Sequence, residues 1–340
     1  MQKEAVLCRP LRDDTVQCRV CEHFCAVRPG ETGRCGVRRN EGGVLYLTVY
    51  GDAVALNLDP VEKKPLFHFL PGEQILSLGT YGCNFRCPFC QNWSISQPSR
   101  LEGRASIGGR EVMPEMLVET CRRYGARMIA YTYNEPTVFF EYTLDTARLA
   151  HEHGIRNVYV SNGYMSQEAL ELLTPYLDGI NVDLKAFTET FYGEQCQARL
   201  EPVKRNIRTI AQGTDIWIEV TTLLIPGLND SDEELRAMAA WLAEVDPAMP
   251  WHVSAFHPDY QMTDRPPTSP AALMRAYEIG RKAGLHHVYL GNVLDADRST
   301  TYCPSCNEPL IRRQWYNTRE LWSQRGVCPR CQYVVPGVWS

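Results

Sequence analysis

Seven short apolar runs rich in β-branched and aromatic residues recur between about residues 74 and 292, separated by longer stretches with helical spacing. Strands are expected at Ile75–Thr80, Met128–Tyr133, Asn157–Ser161, Gly179–Asp183, Ile216–Thr222, His252–Phe256 and His287–Leu290. Helices are expected at Pro114–Tyr124, Thr137–His153, Gln167–Leu173, Glu201–Ala211, Asp232–Ala243 and Ala271–Ala283. Such alternation implies a parallel sheet with crossover helices, and six or seven βα units make a partial or complete barrel. Its chemistry belongs at the strand carboxyl ends. The stretches Gly103–Gly109 and Asp259–Pro270 read as loops on that side, placed to cover a site.

The first strand runs into Cys83-Asn-Phe-Arg-Cys87-Pro-Phe-Cys90. Three thiolates at this spacing with no fourth suit a [4Fe–4S] cluster with one iron open to an exogenous ligand, because a cubane held wholly by protein takes four. Structural zinc also needs four ligands, and this loop offers none beyond the three. Near the C-terminus, Cys303-Pro-Ser-Cys306 and Cys328-Pro-Arg-Cys331 form two knuckles of a zinc ribbon, although a single rubredoxin-like iron fits the same four thiolates. The N-terminal set Cys18, Cys21, Cys25 and Cys35 closes a further site, for zinc or for an auxiliary [4Fe–4S] cluster. That segment has few apolar residues, so bound metal is expected to supply its folding energy. His23 reads as an exposed bystander there. The remaining Cys8, Cys121 and Cys196 read as buried small hydrophobes.

Of the 340 residues, 44% are hydrophobic, enough for one large domain with appendages. Expected boundaries are 1–72 for the N-terminal Cys segment and lead-in, 73–298 for the barrel, and 299–340 for the ribbon. A net charge of −5 lacks the basic footprint of a nucleic-acid binder. No run of about 18 apolar residues suggests a membrane span. Fourteen cysteines without an export signal point to a reducing compartment, the cytoplasm.

Polar residues cluster where the strands end: Asn134 and Glu135, Ser161 and Asn162, Asp183 and Lys185, and His257. A zwitterionic ligand would find a carboxylate in Glu135 and a cation in Lys185. Each also has an ordinary reading, Glu135 as the cap of the following helix and Lys185 with Asp183 as a surface ion pair. Glu62, Lys63, Lys64 and His68 precede the barrel, as a substrate or partner site or as a solvated charged loop.

The C-x3-C-x2-C loop with aromatic Phe89 resembles the signature of radical S-adenosylmethionine (SAM) enzymes. Together with Asp59–Gly72, Tyr131–Thr137 and both flanking Cys groups, it makes nearly the whole chain similar to the radical SAM member of the AmmeMemoRadiSam system, and to the activating enzymes of pyruvate formate-lyase. The resemblance implies a (β/α)6 partial barrel and a cluster on Cys83, Cys87 and Cys90 whose open iron binds SAM. It places Glu135 at the G-G-E position that receives the SAM ammonium, although Tyr133-Asn134 stands here for Gly-Gly. Asp183 and Lys185 match a D-x-K element near the SAM carboxylate and ribose, Ser161 and Asn162 the ribose side, and His257 a cofactor-facing histidine, with Phe89 and Asn134 beside them. It implies reductive cleavage of SAM to a 5′-deoxyadenosyl radical, with a flavodoxin or ferredoxin as donor and Memo-like and AMMECR-like proteins as associates. The substrate is a small molecule, a peptide, or a glycine on a partner enzyme. A non-catalytic electron-transfer or interaction protein is the competing class, but it leaves the missing fourth thiolate unexplained.

Overall fold

The structure is a computed structural model, and it describes residues 1–97 and 109–340. The Gly103–Gly109 loop therefore lies outside the described residues except for its last. An eight-stranded sheet forms the centre. Its strands are β1 (Ala55–Pro60), β2 (Gln74–Gly79), β3 (Met128–Tyr131), β4 (Arg156–Ser161), β5 (Gly179–Asp183), β6 (Trp217–Leu224), β7 (Trp251–Ala255) and β8 (Val288–Gly291). They lie side by side in chain order, β2 to β8 all parallel and β1 antiparallel along the edge of β2. Between the parallel strands run α1 (Pro114–Arg123), α2 (Phe140–Glu152), α3 (Gln167–Leu173), α4 (Leu200–Gly213), α5 (Asp232–Val245) and α6 (Pro270–Lys282). Six βα units and a final strand result, with β1 and β8 as edges and no ladder between them among the described residues. The barrel is open.

Local chemistry accounts for these elements. Strands covered on both faces are buried almost throughout, as in β3 and β7, so their sequences are continuous apolar runs rather than alternating ones. Serines cap three helices: the hydroxyls of Ser166, Ser231 and Ser269 accept from the backbone N–H three residues on. No described helix is long and apolar enough to cross a membrane.

The N-terminal segment differs from the expectation that metal alone would fold it. It forms two small three-stranded antiparallel sheets, and Val16, Val20, Val27, Val37, Leu45 and Leu47 belong to the same core as the barrel. A buried ion pair ties it to α2, with Arg38 Nη2 2.6 Å from Glu141 Oε2 and both side chains almost wholly covered. Cys8 is exposed, not buried, because it sits on an edge strand whose three residues all face solvent.

At the amino ends of the strands, the lead-in 61–72 and the C-terminal unit meet. Glu219 is fully buried on β6 and accepts four hydrogen bonds, from the backbone N–H of Phe67 and His68, from Trp217 Nε1 and from His252 Nε2. His68 is buried as well. Its Nδ1–H donates to the Pro336 carbonyl at 3.0 Å, and because burial favours the neutral ring, Nε2 accepts from Tyr289 Oη at 2.7 Å. The C-terminal unit is a three-stranded antiparallel sheet, Thr301–Tyr302, Pro309–Gln314 and Asn317–Glu320, whose Arg313 donates to the Phe67 carbonyl.

Removing the acceptor of four donors inside the protein leaves all four unsatisfied, so Glu219→Ala is expected to lower stability by about 3 kcal/mol or more in urea unfolding. Burial lowers the His68 pKa from 6.5 to about 4. Between those values the unfolded chain binds the proton and the folded chain does not. Stability is therefore complete above about pH 6.5, falls as pH drops, and levels off below about 4, for a loss of about 3 kcal/mol from this group. Unfolding midpoints at pH 7 and pH 5 check the slope, and His68→Gln should flatten it.

Candidate active site

The loop after β2 carries Cys83, Cys87 and Cys90 at the carboxyl side of the sheet. Its path is set by neighbours on three sides. Asn134, just past β3, donates from Nδ2 to the Gly82 carbonyl at 2.8 Å and accepts from Thr80 N. Asn162, just past β4, donates to Asn84 Oδ1 at 2.7 Å. From the N-terminal side, Gly82 stands at φ +90, and a Cβ there would come within 2.7 Å of the Cys35 carbonyl oxygen. Only glycine suits both the dihedral and the approach.

The donors around the three sulfurs suit anionic thiolates. Phe85 N–H points at Cys83 Sγ at 3.4 Å, Ser96 Oγ lies 3.7 Å from Cys90 Sγ, and the ammonium of Lys185 acts on Cys87 and Cys90. Without a metal the thiolate form is unfavourable here: a hydrogen bond with Cys196 and burial hold Cys87 well above its ordinary pKa, and burial raises that of Cys90. A bound cationic iron cluster would reverse that balance, so the residues present fit the group.

The strand ends bring the expected polar residues toward this loop. Glu135 is buried, and its Oε1 accepts from Thr137 N and Ser161 Oγ, both at 2.9 Å, while Oε2 accepts from Asn162 N at 2.8 Å. Burial pushes its carboxyl pKa up against those hydrogen bonds. It is thus a helix cap and a brace between β3 and β4 at once. Lys185 Nζ pairs with Asp183 at 3.0 Å and lies 5.9 Å from the centre of the buried Phe89 ring. His257 is exposed, with Nδ1 hydrogen-bonded to Gln91 Nε2 of the cysteine loop at 2.8 Å. The Asp259–Pro270 stretch reaches the same loop: Tyr260 stacks on Trp93 and Gln261 N donates to the Pro88 carbonyl.

Two neighbours escaped the sequence reading. Cys196 is fully buried with Sγ 3.7 Å from Cys87 Sγ, presented by a short π-helical turn, Tyr192–Cys196, of a kind often found at functional sites. Nothing linear ties it to a loop 109 positions away. Asn84 was readable only as a filler between Cys83 and Cys87. His23 is not a bystander, because its Nε2 hydrogen-bonds the Asn84 carbonyl at 3.0 Å.

The lead-in residues go elsewhere. Lys64 is buried against Asp59 at 2.7 Å, and His68 lies in the joint below the sheet. Glu62 accepts from Gly72 N and Thr318 Oγ1, and with Lys63 it lines a cavity at the open seam beside Trp315 and Tyr316. None of the four touches the cysteine loop through a hydrogen bond among the described residues. The C-terminal thiols converge: Cys303, Cys306, Cys328 and Cys331 all lie within 4.8 Å of one another, with Sγ pairs at 3.5 and 3.6 Å. Bonds of about 2.3 Å to one tetrahedral ion place thiolates about 3.8 Å apart, so this set fits metal binding.

The Radical SAM superfamily matches residues 77–242. Uncharacterized protein MJ0808 of Methanocaldococcus jannaschii is 42% identical over 318 residues, covering 93% of each chain. MJ1632 of the same organism, whose name proposes a glycyl-radical enzyme activating enzyme, is 26% identical over 221 residues, 64% of this chain and 79% of that one. A radical SAM methyltransferase from Sphaerobacter thermophilus has the same fold, with a TM-score of 0.52 at 19% identity over 74% of this chain and 73% of that one.

Gly82→Ala is expected to cost about 2 kcal/mol from the strained dihedral and the clash with Cys35, and to lower iron retained after anaerobic reconstitution. Urea unfolding and the iron-to-protein ratio check the two effects.

Proposed function

The chain belongs to the radical SAM superfamily, and from that premise we propose that it cleaves SAM at a [4Fe–4S] cluster held by Cys83, Cys87 and Cys90 and removes a hydrogen atom from a substrate C–H. The observation that carries the reading is the cysteine loop itself: three thiols on one loop at the carboxyl side of a parallel sheet, bedded in N–H and hydroxyl groups and within the field of the Lys185 ammonium. Held there, a reduced cluster would supply the one electron that splits SAM into methionine and a 5′-deoxyadenosyl radical.

The chain's own part is to bind and orient. Glu135 holds Ser161 Oγ and Asn162 N in place, so the β4 end presents a fixed polar edge for the ribose, and the same carboxylate offers negative charge for the SAM ammonium. Lys185 brings a cation for the SAM carboxylate and is itself steadied by Asp183. Phe89 and Asn134 shape the loop beside them, and His257, held by Gln91, faces it from β7. Tyr260 and Gln261 cover one side of the loop and limit water there.

A more specific reading makes the substrate a glycine on a partner enzyme; the similarity to MJ1632 over 64% of this chain favours it. Membership of the AmmeMemoRadiSam system, with Memo-like and AMMECR-like associates, belongs to the same proposal, as do a flavodoxin or ferredoxin donor, a cytoplasmic setting and zinc on the C-terminal thiols.

Reconstituted under anaerobic conditions and given dithionite and SAM, the protein is expected to form 5′-deoxyadenosine, and Cys87→Ala to form none. Lys185→Ala should raise the KM for SAM at least tenfold when compared with wild type at matched iron content. Wild-type protein that binds iron at this loop yet makes no 5′-deoxyadenosine would reject the proposal.

A further inference from the structure

Cys18, Cys21, Cys25 and Cys35 ring a single cavity. Cys18 ends a strand of the second small sheet, Cys21 and Cys25 follow on its turn, and Cys35 returns after Gly33 to complete the wall. Cys18 and Cys35 are buried, and Cys21 and Cys25 are half-buried. Each thiol acts electrostatically on its neighbours across the space, as expected of groups facing one centre.

This ring is built differently from the C-terminal quartet. There, every thiol is within 4.8 Å of the others, the spacing of ligands on one ion, and that is the one such set among the described residues. No three of the N-terminal thiols lie within 4.8 Å of one another. A cubane keeps its four ligands further apart than a single tetrahedral ion does, because each sulfur sits on a separate iron.

A second observation points into the same space. Asn84 lines the cavity at 1% exposure, and its Nδ2 has no hydrogen-bond partner, although its Oδ1 is held by Asn162. Leaving a buried amide N–H without a partner is costly, and inorganic sulfide in the cavity would supply the missing acceptor. Arg38 also lines the wall, and its guanidinium, shared with Glu141, acts on Cys18 and Cys35. This combination of a wide thiolate ring, an orphan donor and a buried cation fits an anionic cluster better than a neutral hydrophobic void.

We infer that Cys18, Cys21, Cys25 and Cys35 hold a second [4Fe–4S] cluster, ligated at all four corners by protein and adjoining the first through Asn84, the residue next to Cys83. With no open iron, the cluster leaves one-electron transfer as its chemistry: it is oxidised by one electron as the SAM-binding cluster is reduced by one, and a low-potential donor protein restores it. The site stands on the cavity alone; only the direction of electron flow rests on the proposed SAM chemistry.

The test uses the full chain reconstituted anaerobically with iron and sulfide. Wild type should hold about eight irons, and the triple variant C83A/C87A/C90A about four, with a reduced-state EPR signal indifferent to SAM. The double variant C25A/C35A should lose the SAM-indifferent signal and keep the SAM-responsive one. Asn84→Leu should shift the midpoint potential of the SAM-indifferent signal. A triple variant without iron, its N-terminal thiols carrying zinc by metal analysis, would overturn the inference. It decides the matter even where the double variant fails to fold. Iron retained in the triple variant while the wild-type signal ignores SAM would instead sink the SAM proposal and leave the second cluster standing.

Discussion

One buried carboxylate organises the lower half of the protein. Glu219 sits where a charge would be intolerable without full compensation, and its four donors come from the lead-in backbone, from its own strand and from β7. Because two of those donors are backbone N–H groups, the lead-in cannot slide without stranding the carboxylate. The His68 and Phe67 carbonyls then receive Val338 N–H and Arg313, so the C-terminal unit is fastened to the same few residues. The rigid floor beneath the open sheet follows from this one requirement.

The opposite face is organised by side-chain amides. Asn134, Asn84 and Asn162 connect the cysteine loop to the ends of β3 and β4, and Glu135 ties those two ends to each other. Phe85 and Phe89 anchor the cysteine loop in the core, and these cross-links fix the path of the backbone between them. Preorganisation of this kind lets metal enter a shaped cradle.

The alternation of apolar runs and helical stretches was legible because strands buried on both faces leave uninterrupted sequence signals, and all seven expected strands correspond to β2–β8. The convergence of Cys303, Cys306, Cys328 and Cys331 was legible through short-range spacing. What spacing cannot carry is long-range approach: Cys196 beside Cys87, and Gly82 against Cys35. Charge misled in the lead-in, where Lys64 and His68 read as solvated or substrate-facing and are instead buried in satisfied networks. Polar residues betray burial only through their partners, and those partners lie far along the chain. The N-terminal segment looked too poor in apolar residues because its contribution to a core is visible only once that core is shared with the barrel.

The bond between His68 and the Pro336 carbonyl spans 268 positions. Residues near position 336 must therefore be synthesised before the floor beneath residues 61–72 can close. A ribosome that has delivered all eight central strands still holds a sheet whose base is open, so the last step in assembling this domain is the docking of a distant segment rather than the pairing of a strand.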